Sequence, residues 1–450
     1  MKLIHLHIQK ILATALLLLT FSAINAQPLT DSTWSSNVKS VYLAPLGNEL
    51  ATPIIRIDNY GNVSSPLLLR FDILDPQPQH LRYRFRHCND DWTADDLDVS
   101  EFFTTSNDAP IGGYQSSFTT LIEYTNYYQQ LPEQYGQFLA SGNYILEVYH
   151  ADHQDSIILS RRFYVTEDAV DMNAMAGKPS GPYGNIYQDQ EVSVEISPKK
   201  GSSLPLQADY YHVVVQQNGR NDSKRVLPFN GYNSFGMDYS MHKENVFPAG
   251  NHFRYFDLSN LRATMYHVQR IEQIGTDILA FLQPDEDRSR KPYSQYNSLN
   301  GGMKTNIRDR NNPHIEADYV WVIFSLPMQQ PMLDGNVYIA GDLTQWNLND
   351  SCRMDWNPKY RAYTKRMLLK QGYYSYQLLF LPAGEKEAVT SRLEGDHFAM
   401  PNSYSIFVYF RMPGSRYDRL VSLSQIQAAS NYSEVEPACH RHTDSTSPKI

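Results

Sequence analysis

The chain is expected to be all-β, built as tandem immunoglobulin-like or early-set β-sandwich domains. Three observations carry that expectation. Aromatic residues are abundant, with 32 Tyr, 19 Phe and 5 Trp, and 25 Pro and 23 Gly accompany them. That mix favours short strands cut by turns over long helices. Apolar residues also recur at period 2 in short runs, and helical periodicity, heptads and tandem repeats are missing.

Residues 1–26 read as a secretory signal, with Lys2 and Lys10 ahead of the apolar stretch Ile11 to Phe21 and a cleavage site after Ala26. Eleven helical residues span about 16 Å, too short for a hydrocarbon core of about 30 Å. No later stretch of about 18 apolar residues occurs, so the mature chain, starting at Gln27, is expected not to cross a membrane as a helix.

From Val38 the strands follow in order. Val41-Tyr42-Leu43, Leu67 to Phe71, Leu81 to Arg86, Tyr144 to Tyr149 and Arg161 to Val165 form a first sandwich over residues 27–168. Leu81-Arg82-Tyr83-Arg84-Phe85-Arg86 alternates strictly, with three apolar side chains on one face and three arginines on the other. A strand so patterned buries one face and solvates the other. Ser141-Gly142-Asn143 is a turn, and the mixed stretch from about Asp168 to Gly184, with Gly, Pro and Ser together at Gly177 to Gly184, predicts a linker or boundary. A second sandwich over 169–312 takes strands at Glu191 to Ile196, Tyr210 to Gln216 and Arg254 to Phe256. A third, over 313–424, opens at Asp318 to Phe324, continues through Val337 to Ala340 and Tyr373 to Phe380, and closes at Tyr404 to Phe410. Residues 425–450 are expected to be a mobile polar tail.

The net charge of −9 lacks the basic balance or basic stripe of a polyanion binder, so nucleic acid is excluded as a partner. Three cysteines, Cys88, Cys352 and Cys439, leave at least one thiol unpaired or linked to another chain. Their wide separation favours no structural disulfide. Phosphate loops, Gly-x-Ser-x-Gly elbows and His-Glu-x-x-His motifs are absent. The run His87-Cys88-Asn89-Asp90-Asp91-Trp92 offers a thiol beside an imidazole, or a carboxylate pair beside an aromatic ring. Strand alternation points His87 and Cys88 to opposite faces, and Asn-Asp-Asp is turn chemistry with Trp92 as a core anchor. The hydrolase reading of Asp90 and Asp91 is therefore the weakest. His440-Arg441-His442 beside Cys439 could touch a metal, but such a tail lacks the supporting shell of a built site.

Val337 to Asn347, with Gly341-Asp342-Leu343-Thr344-Gln345-Trp346, followed by Tyr374-Ser375-Tyr376, resembles the early-set modules of amylases and glycogen-binding proteins. That resemblance implies sugar stacking on Trp346 and Tyr376. The alternative is that both rings pack the sandwich.

A wider resemblance runs from about Val38 to Ser424. Its markers are Tyr83-x-Phe85-x-His87-Cys88-x-Asp90-x-Trp92, Ser141 to Leu146, Arg161-Arg162-Phe163, Gln216-Gln217-Asn218 with Arg220, and Ala249-Gly250-Asn251-x-Phe253-Arg254. Asn300-Gly301, Glu316 to Val320, Leu369 to Tyr374, Glu394-Gly395, Tyr409-x-Arg411 and Arg416-Tyr417-Asp418-x-Leu420 complete the order. On these the chain resembles the type IX secretion system plug proteins. It departs from them at Ala399-Met400-Pro401 and in the tail. The resemblance implies a non-enzymatic periplasmic protein, without cofactor or metal, that binds a large outer-membrane translocon barrel of that system and closes its periplasmic opening when cargo is absent. No catalytic, cofactor-binding or metal-binding residue is carried over, and the residues that contact the barrel are left open. The alternative function is a glycan- or cell-wall-binding accessory protein.

Overall fold

The computed structural model describes residues 28–58, 63–133, 135–294 and 298–428. The predicted leader, Cys439, His440 to His442 and all but the first residues of the expected tail lie outside them.

The described chain is almost wholly β, with two single-turn α-helices among the described residues, Val99–Phe102 and Pro313–Glu316. The first sandwich packs two sheets face to face. One runs in the order Ser32–Thr33, His153–Thr166, Gly142–His150, Leu81–Cys88, Ala109–Pro110, with Ile54–Arg56 added in parallel to His153–Thr166. The other runs Val38–Pro45, Leu67–Ile73, Thr125–Leu131, Gly113–Ser116. The alternation in Leu81–Cys88 works as expected. Leu81, Tyr83 and Phe85 enter a core with Leu69, Phe71, Leu146 and Phe163, each large side chain contributing about 1.5–3 kcal/mol by leaving water. On the far face, Arg84 and Arg86 converge on the buried Glu147 at 2.6 and 3.0 Å.

The expected linker is in part a strand. Val170–Gly177 pairs residue for residue with Asp189–Pro198, so the Gly- and Pro-rich segment is a loop inside the second sandwich. The crossing from the first sandwich is the short turn at Glu167 to Ala169, where Asp168 has φ 52° and receives Arg56 Nη1 at 2.5–2.6 Å.

The second sandwich is completed from far along the chain. Its other sheet is ordered Arg225–Leu227, Tyr211–Gln217, Ser403–Phe410, Arg419–Gln427. Ser403–Phe410, expected to close the third sandwich, instead pairs along its length with Tyr211–Gln217. Its alternation explains why. Tyr404, Ile406, Val408 and Phe410 fill a core shared with Val192, Val194, Val213 and Val215. The final strand also runs to Gln427, three residues into the expected tail.

Between these strands the chain builds a third unit. One nine-stranded sheet runs from Arg254–Asp257 through Gly372–Pro382, Gly335–Ala340, Arg353–Asn357, Ala362–Lys370, Tyr319–Pro327 and Asp277–Leu282 to Val268–Ile274, with Met303–Thr305 alongside. It closes over a single core, so that Phe256 and Phe324 lie 5.6 Å apart between ring centres. Arg254–Asp257, expected in the second sandwich, belongs here through pairing with Gly372–Pro382.

Candidate functional site

The His87 to Trp92 run lies where the first and second sandwiches meet. His87 and Cys88 point to opposite faces, as alternation requires. His87 Nε2 donates to the Ser141 carbonyl at 3.0 Å, its Nδ1 faces the Asp95 carboxylate, and its ring meets Tyr144 and Tyr417 edge-on. Gly142 sits at φ 148° against this imidazole, and a Cβ there would fall 2.5 Å from His87 Nε2. Cys88 turns the other way, into an apolar cluster with Trp92, Tyr164, Phe407 and Leu423. Burial, with Asp95 adding to it, pushes its thiol up to about 12. A thiolate nucleophile is disfavoured there.

Asn89 to Trp92 is a turn: Trp92 N–H donates to the Asn89 carbonyl at 3.0 Å and Thr93 N–H to Asp91 Oδ1 at 2.9 Å. The turn is clamped from its own sandwich and from across the junction. Asn143 Nδ2 donates to the Asn89 and Asp90 carbonyls, and Tyr409 Oη donates to Asn143 Oδ1 at 2.8 Å. Asp90 N–H donates to Asp418 Oδ2 at 3.1 Å, and His212 Nδ1 lies 3.2 Å from Asp90 Oδ2. Burial disfavours charge on Asp90, yet hydrogen bonding from His212 holds its carboxyl below the usual range. Burial, then the neighbouring Asp90, raises Asp418. Asp91 is spent on its own turn, and neither Asp90 nor Asp91 lines either cavity described here. This cluster joins two units. Sequence reading found its first half, named Tyr417 and Asp418 only as markers of resemblance and missed His212. His212 reaches it from Tyr211–Gln217 and the other two from the loop before Arg419–Gln427.

Trp92 is the anchor it was expected to be, but of the junction. The Arg162 guanidinium lies 4.3 Å and Lys224 Nζ 5.1 Å from its ring centre. The first and third units are joined by a buried ion pair, Lys370 Nζ to Asp72 Oδ2 at 2.6 Å, with Tyr319 Oη donating to the same oxygen at 2.6 Å. The second and third are joined where Arg220 Nη2 donates to the Ala388 carbonyl at 2.7 Å and Arg225 pairs with Glu387.

The sugar-stacking expectation is corrected by burial. Trp346 packs with Phe253 and Leu379, its indole N–H donating to Asp342 Oδ1 at 2.9 Å, and a Cβ on Gly301 would fall 2.6 Å from its Cζ2. Tyr376 is fully buried, its hydroxyl 2.9 Å from Asp285 Oδ2. It belongs to a network in which Arg254 binds Glu394 at 2.9 Å and Asp285 at 3.0 Å. Tyr376 offers no face to a ligand, and Trp346, packed in its cluster, shows only an edge of about 9% exposure on the wall of a cavity.

Where all three units approach one another a cavity of about 560 Å³ remains, lined by Gln216, Ser403, Ser405, Gln425 and Gln427 of one sheet face. The apolar continuation of that face, Val214, Phe407 and Leu423, closes the junction with the first sandwich. On the outside of the second sandwich, Phe229, Tyr232, Phe235 and Met241 are exposed, with Phe229 and Tyr232 rings 4.9 Å apart. Asn233 Nδ2 to Glu195 at 2.6 Å and Asn230 Nδ2 to Asp238 at 2.8 Å fix the surrounding loops. Apolar anchors in a polar rim are the composition of a protein-binding patch. No helix among the described residues is long and apolar enough to cross a membrane.

Residues 38–167, the first sandwich, match the family model described as the type 9 secretion system plug protein 1st domain. A crystal structure of a hypothetical protein from Parabacteroides merdae is similar over 89% of this chain and 100% of its own, at 30% identity and a TM-score of 0.85. No curated protein matches the chain.

Proposed function

The chain belongs to the type IX secretion system plug protein family, and from that premise we propose that it is a non-enzymatic periplasmic lid for the system's outer-membrane translocon barrel. On this reading it binds the barrel and covers its periplasmic opening when cargo is absent. The observation that carries the reading is the plug-domain match over residues 38–167. The junctions support it physically. A lid across a wide aqueous pore must keep its shape, and here each pair of units is pinned by buried polar contacts rather than by a flexible linker. The exposed Phe229, Tyr232, Phe235 and Met241 patch is the candidate barrel contact, since interfaces of about 1,200–2,000 Å² centre on such anchors.

The test is a deletion strain in which assembly of the barrel is verified. Outer-membrane permeability to large polar solutes should rise, and the wild-type gene should restore the barrier. A Tyr232→Ser, Phe235→Ser variant should keep its melting temperature yet co-isolate less barrel and restore the barrier poorly. Unchanged permeability, with the barrel present and no other lid on it, would overturn the reading.

A further inference from the structure

A second, smaller cavity of about 330 Å³ lies between the first sandwich and the third unit, lined in part by Tyr42, Glu49, Leu68, Arg70, Lys304 and His314. Three nitrogen-bearing side chains reach it from three separate segments. Arg70 comes from Leu67–Ile73, Lys304 from Met303–Thr305 and His314 from Pro313–Glu316. Among the described residues none of the three forms an ion pair. Arg70 is held in place by Nη1 donating to Asn126 Oδ1 at 2.8 Å and by the Tyr128 ring 5.2 Å away, while its Nε is buried with no hydrogen-bond partner. Its guanidinium lines the cavity without a carboxylate partner, the partner that a bound anion would supply.

We propose that this cavity binds a small monocarboxylate, with its carboxylate on Arg70 and Lys304 and its short aliphatic arm against Pro45 and Leu68. The charge count decides the class. Two cations face one carboxylate, Glu49, which accepts from Tyr42 Oη at 3.3 Å. The neighbouring Lys370 is already matched by Asp72. Burial, then Arg70 and Lys370, pulls His314 down to about 4, so at neutral pH it adds no charge. One net positive charge suits a monoanion and leaves a phosphate dianion uncompensated. Arg also matches the planar carboxylate with paired N–H groups. The same chemistry is presented by a free short-chain acid and by the C-terminus of a peptide. This inference does not depend on the translocon reading.

The experiment is a titration of the full chain followed by NMR, using butyrate against butyramide, with inorganic phosphate and a leucine-ended tripeptide against its C-terminal amide as further arms. Butyrate or the free-ended peptide should give a saturable response, and the matching amide should give none. Tighter binding of the peptide would assign the site to a chain end, and tighter binding of butyrate to a free acid. Lys304→Gln, at an exposed position that leaves folding intact, should weaken binding about tenfold. Arg70→Gln should weaken it further, with its melting temperature checked because Arg70 also holds Asn126. An anion beside neutral His314 must raise the pH at which that imidazole titrates. Equal responses to acid and amide, tighter binding of phosphate, or unchanged affinity in Lys304→Gln would each overturn the proposal.

Discussion

Cys88 illustrates how much a single position can reveal once both faces of its strand are considered. Its Sγ contacts the Arg86 carbonyl at 3.9 Å in a cluster drawn from both sandwiches. It therefore reports on the junction and not only on one core. Thiol labelling of native protein should leave Cys88 unmodified until the junction opens. Cys88→Ala, which deletes a small buried group, should cost about 1–2 kcal/mol and keep function, as read by chemical denaturation. Fast labelling without loss of structure would contradict this. Cys352 is likewise a buried free thiol, donating to the Asn347 carbonyl at 2.8 Å. On the non-enzymatic reading proposed above, Asp90→Asn should act through the junction alone, changing stability as read by chemical denaturation.

At the level of elements, the ion pair between Leu67–Ile73 and Ala362–Lys370 is the most exacting contact. Lys370 and Asp72 are both almost completely buried, and Asp72 also accepts from Asn126 Nδ2 at 2.7 Å. Lys370→Met strands a buried carboxylate and should destabilise by about 3–5 kcal/mol. Adding Asp72→Asn should recover much of that loss, as measured by denaturant titration of both variants. Equal destabilisation by the single and double variants would mean the charge is compensated elsewhere. The strands themselves were legible, because period 2 and turn residues depend only on neighbours. Their partners were not. Ser403–Phe410 alternates Ile406 and Val408 with Phe407 and Tyr409, and that two-sided apolar run was a usable signal of burial on both faces. Nothing local could say that Tyr211–Gln217 lay beside it. The same distance hid the site. His87, Asp90 and Trp92 were visible as one run, whereas His212, Tyr417 and Asp418 join it only through tertiary pairing.

For the whole molecule, pH should act through histidines held neutral by packing. His252 is pulled down to about 4 by burial and then Arg288, and His314 to about 4 by burial, Arg70 and Lys370. Unfolded histidine titrates near 6.5, so the unfolded chain takes up protons first as pH falls. Their stabilisation is complete above about 6.5 and is lost as pH falls toward about 4. His212 runs the other way. Hydrogen bonding to Asp90 raises it, so its contribution is full below about 6.5 and fades as pH rises above its folded value. His212 is half-exposed, which keeps that term small. Melting temperature should therefore fall between pH 6.5 and 4, and His314→Gln should flatten part of the slope. A melting temperature constant across that window would refute this account.

The interleaving of the second and third units sets an order of assembly. Gln217 and Tyr404 hydrogen-bond across 187 positions of chain. As the polypeptide emerges, the first sandwich and then the third unit can complete their sheets. Tyr211–Gln217 must wait with a bare edge until the last strands arrive. Pairing at such separation is slow, and a waiting edge invites association with other chains. A chain cut short before residue 403 would be left with that edge open permanently. The Asp418 clamp on Asp90 closes only when Ser403–Phe410 and Arg419–Gln427 arrive, so these late strands also certify the body as finished.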